Sequence, residues 1–130
     1  MTSWAKHAKK SVPAQTWSRT SGTFELIDAD PAQLLVVAMA DQVVGTMQLS
    51  FIPGLARRGT LRAQIEAVRI HGGYRSHGLG TAMFHWAFAE AQRRGCTLVQ
   101  LTTDKTRADA HRFYRRLGFV ASHDGLKMML

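Results

Sequence analysis

The chain reads as a mixed α/β domain. Three observations predict it: apolar, β-branched runs in hairpin order, a helical period opening out of a glycine-bearing loop, and a second helix after another apolar run. Leu34-Leu35-Val36-Val37-Ala38 and Val43-Val44-Gly45-Thr46-Met47-Gln48-Leu49 flank Met39-Ala40-Asp41-Gln42, the pattern of a β-hairpin. Pro53-Gly54 breaks the second strand, and a basic loop through Arg57-Arg58-Gly59 leads to a third, Leu61 to Ile70.

From Leu79 to Arg94 the residues Leu79, Met83, Trp86, Ala87 and Ala91 recur as one helical face. Arg93 and Arg94 suit the negative end of the helix dipole, and Gly95 is a natural stop. Leu98 to Thr102 reads as a buried strand. A second helix follows from Arg107 to Leu117, with Ala110, Phe113, Tyr114 and Leu117 in one stripe and Gly118 as its end. Phe119-Val120 and Leu126 to Leu130 are expected to add two short strands around a Ser122-His123-Asp124-Gly125 turn. The order β-β-β-α-β-α-β-β predicts a mixed central sheet with flanking helices, not an all-parallel doubly wound one. Met1 to Gly22, polar and basic, shows neither period and reads as an N-terminal arm, leaving residues 23–130 as the folded domain.

A chain of 130 residues, 45% hydrophobic, suffices for one core. The longest apolar run, Leu34 to Ala40, is far short of the roughly 20 residues of a spanning helix. Lys6, Lys9 and Lys10 are followed by no apolar stretch, so a secretory signal is not expected. Cys96 is the only cysteine, which excludes an internal disulfide. Together these features point to a cytoplasmic protein without membrane partners. The formal charge of +8 favours anionic ligands or polyanions, and by itself leaves nucleic acid, membrane surface and a phosphorylated cofactor open.

The loop between the third strand and the first helix narrows this. A strand that runs through glycines into a helix presents unpaired N–H groups and a positive dipole end to one point, a natural phosphate site. Gly78 and Gly80 permit close approach, and Arg75 and His77 add charge. The P-loop ending Gly-Lys-Ser or Gly-Lys-Thr is absent, and a dinucleotide fingerprint begun at Gly78 fails at Met83.

What remains, Arg75-Ser76-His77-Gly78-Leu79-Gly80, resembles the coenzyme A loop of the GNAT superfamily of N-acetyltransferases: Arg or Gln, two residues, Gly, one residue, Gly or Ala. The strand Ile65 to His71, entering the loop through Tyr74-Arg75, resembles the family's central strand. Ala110-His111-Arg112-Phe113-Tyr114-Arg115-Arg116-Leu117-Gly118-Phe119 is similar to its Ala-x-x-Phe-Tyr-x-x-x-Gly-Phe signature. The resemblance covers Phe24 to Leu130. It implies transfer of an acetyl group from acetyl-CoA to a primary amine of a small molecule or protein, by direct attack in a ternary complex.

The resemblance further assigns the pantetheine arm and the oxyanion to main-chain groups of Val68, Arg69 and Ile70, in a strand splayed from its neighbour. It assigns the pyrophosphate to Arg75, Ser76, His77, Gly78, Leu79, Gly80 and Thr81, and donation to the departing thiolate to Tyr114. Arg107 stands near where the family often has an asparagine on the pantetheine arm, and Gly72 where it usually has proline. Chemistry adds a need for a base, since an alkylammonium of pKa about 10.4 must lose a proton before it attacks. Glu66 is the only acidic residue on the central strand, expected to share a face with Gln64 and Val68.

His71, His77, His85, His111 and His123 show no paired spacing backed by a third ligand, so no metal is expected. Cys96 reads as a structural thiol. Arg112, Arg115 and Arg116 read as a solvated helix face, which makes a nucleic-acid-binding module the weaker alternative, beside an acyl-CoA-binding regulator without efficient turnover. The family begins with a strand and two helices, and the residues before Thr23 are too few and too polar to supply them. The resemblance therefore implies a GNAT fold lacking most of that region, with an acceptor pocket left open or completed by a second subunit of a homodimer.

Overall fold

The computed structural model describes residues 5–8, 21–75 and 78–130. They form two compact units, Met1–Gln100 and Leu101–Leu130, each described by itself. The first holds a mixed five-stranded sheet in the order β1 (Ala5–Ala8), β2 (Gln33–Met39), β3 (Val43–Pro53), β4 (Leu61–Ile70), β5 (Cys96–Gln100). The first four strands are antiparallel neighbours, and β5 joins β4 in parallel. Helix α1 (Ser21–Ala29) precedes β2, a helical turn α2 (Ala56–Gly59) joins β3 to β4, and α3 (Leu79–Arg93) is the crossover between β4 and β5. Among the described residues no helix is long and apolar enough to cross a membrane.

The mixed α/β class expected from the sequence is what the chain adopts, with β4 ending where expected and α3 one residue short of Arg94. Three details differ. Within the segment read as a basic N-terminal arm, Ala5–Ala8 forms β1 against Val36 to Met39 of β2 and α1 begins at Ser21, while residues 1–4 and 9–20 lie outside the described ones. A strand of only four residues is too short to show a period, and its ladder with β2 is what defines it. β1 and α1 thus supply part of the N-terminal region that the resemblance was expected to lack.

The second difference is the buried stripe of α3, which is Leu79, Met83, Phe84, Ala87 and Ala91, with Trp86 only half-buried. At 100° per residue Phe84 and Trp86 flank the line of Leu79, Met83, Ala87 and Ala91 about equally, on opposite sides, so the period alone does not choose between them. This stripe and the β2–β4 residues Leu34, Val36, Ala38, Met47, Leu49, Phe51, Ala63 and Ile65 are all at most 5% exposed and make the core. Full burial of a side chain such as Phe84 or Leu49 contributes about 2 kcal/mol over exposure. Gly45 of β3 is required by this packing, because a Cβ there would lie 2.6 Å from the Met83 sulfur. At the far end of α3, the Arg94 guanidinium stacks 4.0 Å from the Phe51 ring centroid and donates to the Pro31 carbonyl at 3.2 Å.

The third difference lies in the second unit. Its helix α4 (Ala108–Leu117) carries the expected stripe: Ala110, Phe113, Tyr114 and Leu117 are half-buried, while Arg112, Arg115 and Arg116 are exposed. The two strands expected after it do not form. The Ser122 N–H turns back to the Val120 carbonyl at 2.9 Å, bending the chain where a ladder would need it extended. Leu126, Met128, Met129 and Leu130 are exposed.

Candidate active site

The feature that organises the first unit is a gap beside β4. Its parallel ladder with β5 pairs Leu61 with Cys96, Arg62 with Leu98, Ala63 with Val99 and Gln64 with Gln100, and stops there. Among the described residues, β4 from Ile65 to Ile70 is paired only with β3, and the main-chain donors and acceptors on its β5 side have no ladder partner. Buried or half-buried groups of this kind need another partner, such as water or a ligand.

A bulge coincides with the gap. Gln48 faces Glu66 and Thr46 faces Arg69, so two residues of β4, Ala67 and Val68, stand against the single Met47. Ala67 takes the left-handed conformation at φ 54°, at a cost of roughly 1–2 kcal/mol for a residue with a Cβ. Strain of this size persists where the surroundings over-determine it, often at functional sites.

The bulge also resets which side chains share a face. Cross-strand partners lie on the same side of a sheet, and Thr46 and Gln48 are two apart on an unbulged strand. Glu66 therefore shares its face with Gln64 and Arg69, not with Gln64 and Val68 as strict alternation predicts. Glu66 is exposed, and its carboxylate accepts from the Gln64 amide at 3.4 Å. Gln64 in turn accepts from Gln100 at 3.0 Å, across the last rung of the β4–β5 ladder. On the same face Gln33 accepts from Gln48 at 2.9 Å and from the Ser50 hydroxyl at 2.8 Å.

Beyond Ile70 the chain makes a short 3-10 turn, Gly72–Tyr74, in which the His71 ring accepts from the Gly73 N–H at 3.3 Å. Arg75 follows, extended and exposed. Ser76 and His77 lie outside the described residues. Gly78, left-handed at φ 78°, is the N-cap of α3 with no side-chain cap, and the first helical bond runs from Ala82 N–H to the Gly78 carbonyl at 3.0 Å. The N–H groups of Leu79, Gly80 and Thr81 thus sit at the positive end of a fifteen-residue helix, where an anion is favoured. The residues present fit a pyrophosphate there, and an extended amide-bearing arm along the open edge of β4.

In the second unit, Asp104 accepts from the Thr106 N–H at 2.8 Å and its hydroxyl at 2.6 Å, a turn that leads into α4 with Arg107 as N-cap. A depression of about 330 Å³ is lined by residues Thr106 to Ala110. Tyr114 packs edge-on to Phe119 at 5.9 Å and against Phe113 at 5.5 Å. Burial pushes its phenol above the ordinary value, against an opposing influence of the Arg107 charge, so it stays protonated at neutral pH. Burial likewise pushes the Cys96 thiol up, which disfavours a nucleophilic thiolate. Among the described residues no group of three metal-ligating side chains occurs.

The model of the acetyltransferase (GNAT) family matches residues 2–119 of this arrangement. The chain belongs to the GNAT acetyltransferase family. Its structure is similar to that of a transcriptional regulator from Bacillus halodurans C-125, with a TM-score of 0.81 and 45% identity over 94% of this chain and 79% of that one. It is also similar to a putative acetyltransferase from Agrobacterium tumefaciens strain C58, with a TM-score of 0.84, 24% identity, and 97% and 99% of the two chains covered, a likeness of fold. In sequence, 49 residues are 43% identical to an aminoalkylphosphonate N-acetyltransferase of Salmonella typhimurium strain LT2, covering 38% of this chain. That match spans about a third, 32%, of the relative's length. GNAT is a family of acyltransferases of the N-acetyl-transferring kind, which use acetyl-CoA and an amine acceptor.

The GNAT motifs were legible in the sequence, whereas the bulge was not: an alanine at φ 54° carries no compositional mark, as a glycine there would have. The Gln48–Glu66 pairing was equally hidden, since register across a hairpin depends on where the bulge falls.

Proposed function

We propose that this chain transfers an acetyl group from acetyl-CoA to a primary amine of a small molecule or protein by direct attack in a ternary complex. The observation that carries the reading is the separation of β4 from β5 beyond Gln64, at the Ala67 bulge, followed directly in the chain by the uncapped N-terminus of α3. One element offers open main-chain groups to an amide-bearing arm, and the next offers N–H groups to a pyrophosphate. In this reading Val68, Arg69 and Ile70 hold the pantetheine and the thioester oxygen through their main chain. Arg75, Ser76, His77, Gly78, Leu79, Gly80 and Thr81 hold the phosphates, and Arg107 supports the arm.

Glu66 takes the proton of the ammonium, directly or through one water, and the neutral amine attacks the thioester carbon. The C–N bond forms, the oxyanion is held by main-chain N–H groups, and collapse breaks the C–S bond while the surplus proton on nitrogen passes to the departing sulfur. Tyr114 donates to the leaving sulfur. A thiol of pKa about 8.5 leaves readily, so the phenol has only to stabilise it. The name of the Salmonella relative supports a small amine as acceptor. The single thiol Cys96 supports a reducing, cytoplasmic location, and the exposed Leu126, Met128, Met129 and Leu130 support a homodimer.

The test is release of free CoA thiol from acetyl-CoA in the presence of a panel of primary amines, with the products identified by mass. Amine-dependent release with an acetylated product is expected. CoA binding without release from any amine would leave the second reading, an acyl-CoA-responsive regulator, which the name of the 45%-identical Bacillus protein favours.

A further inference from the structure

The bulge that opens β4 also sorts its charges. We infer that Glu66 and Arg69 together read a short zwitterionic acceptor, an amine that carries an anionic group, with the ammonium at Glu66 and the anion at Arg69; the inference rests on the acetyltransferase reading above.

Two central strands, each paired on both sides for part of their length, ordinarily bury apolar residues on both faces when helices cover them. On the α3 side β3 and β4 do so, through Met47, Leu49, Phe51, Ala63 and Ile65. Over the same rungs the opposite face carries Thr46, Gln48 and Ser50 on β3, and Gln64, Glu66 and Arg69 on β4; Thr46 and Ser50 are buried, Gln48 and Gln64 half-buried, and Glu66 and Arg69 exposed. Its exposed part, Glu66 and Arg69, is where a polar ligand could be met.

Its neutral groups are tied to one another and to adjoining strands. Gln48 and Ser50 both donate to Gln33, and Gln64 links Gln100 to Glu66. The two formal charges are Glu66 and Arg69, both exposed. Their partners Gln48 and Thr46 are two residues apart on β3, so the two side chains arise about 7 Å from each other along the sheet. That spacing suits an ammonium and an acid group separated by two or three bonds, each within hydrogen-bond reach of its partner. Without the extra residue at Ala67, Arg69 would point to the α3 face and the pair would not exist. A guanidinium fork accepts a carboxylate, sulfonate, phosphate or phosphonate, so the common chemistry is an oxyanion at short range from the amine. The charge of +8 raises the local concentration of such acceptors.

The experiment compares kcat/KM for four acceptors of similar length: ethanolamine, β-alanine, taurine and 2-aminoethylphosphonate. One or more of the anionic acceptors is expected to exceed ethanolamine by about tenfold or more, equivalent to a single good charged contact. Which anion leads distinguishes carboxylate from sulfonate and phosphonate. In Arg69→Ala the anionic-to-neutral ratio should fall by about tenfold, mainly through KM, and Arg69→Lys should restore part of it, a pattern that mere loss of packing does not produce. Equal use of neutral and anionic amines, or a ratio untouched by Arg69→Ala, overturns the inference while leaving acetyl transfer intact. Failure of the wild-type protein to bind acetyl-CoA is a different result and strikes the underlying reading instead.

Discussion

Glu66 and Arg69 share a face of β4 although three positions separate them, because Ala67 and Val68 together oppose the single Met47 of β3. The same bulge lies where β4 has parted from β5, so one backbone irregularity opens the main chain and selects the side chains beside the opening.

The strain at Ala67 gives the first prediction. Glycine adopts φ 54° without steric cost but loses more freedom on folding, so Ala67→Gly should stabilise by roughly 0.5 kcal/mol. Ala67→Val places a β-branched residue in the left-handed region and should cost more than about 1 kcal/mol. Urea midpoints at constant m-value check both. Equal stability of the two variants would mean that the bulge does not persist in solution.

Glu66→Gln should lower kcat by about 10² or more, the usual worth of a general base. Acetyl-CoA affinity should stay within about twofold, because the main chain that would receive the cofactor is unchanged. A variant with wild-type turnover at every pH would return Glu66 to the role of a hydrogen-bond partner of Gln64.

Tyr114→Phe should slow transfer by about tenfold or more while leaving cofactor affinity nearly intact. Because burial holds the phenol above its ordinary value, it remains a donor to beyond about pH 10, and the wild-type rate should show no descending limb from it below that pH. Unaltered kcat in the variant would mark Tyr114 as a packing residue between Phe113 and Phe119.

Much of this architecture was legible in the sequence. The hairpin, β4, α3 and α4 follow from β-branched runs, a 3.6-residue period and glycine stops, because each rests on interactions within about a dozen residues. The start of α3 at Leu79, just after Gly78, was legible for the same reason. What escaped depends on distant partners. Strand β1 is defined by Val36 to Met39 of β2, and the faces of Glu66 and Arg69 by the register of β3. The C-terminal run Leu126 to Leu130 has strand composition without strand pairing, which composition alone cannot reveal.

An acid-range prediction comes from α3. Glu90 is held below the usual carboxylate range by its two hydrogen bonds from Arg93, with burial opposing and Arg94 adding a third bond at 3.0 Å. A lowered folded-state pKa stabilises above the unfolded value of about 4.3, and that contribution is lost as pH falls through the folded value. Glu90→Gln should therefore reduce stability at pH 7 by less than about 1 kcal/mol, since the Arg93 side chain is well exposed, and by less at pH 2. Melting curves at both pH values check the sign, and an equal loss at both would assign the effect to packing.

The central claim is that the loop from Arg75 into α3 receives the phosphates of acetyl-CoA. Calorimetric titration of the purified protein with acetyl-CoA, beside a short DNA duplex at about 0.15 M salt, tests it most directly. Micromolar binding of acetyl-CoA, lost in Gly80→Trp because the indole fills the space before the helix end, is the result expected. Binding of the duplex alone, or acetyl-CoA affinity unchanged in Gly80→Trp, would contradict it.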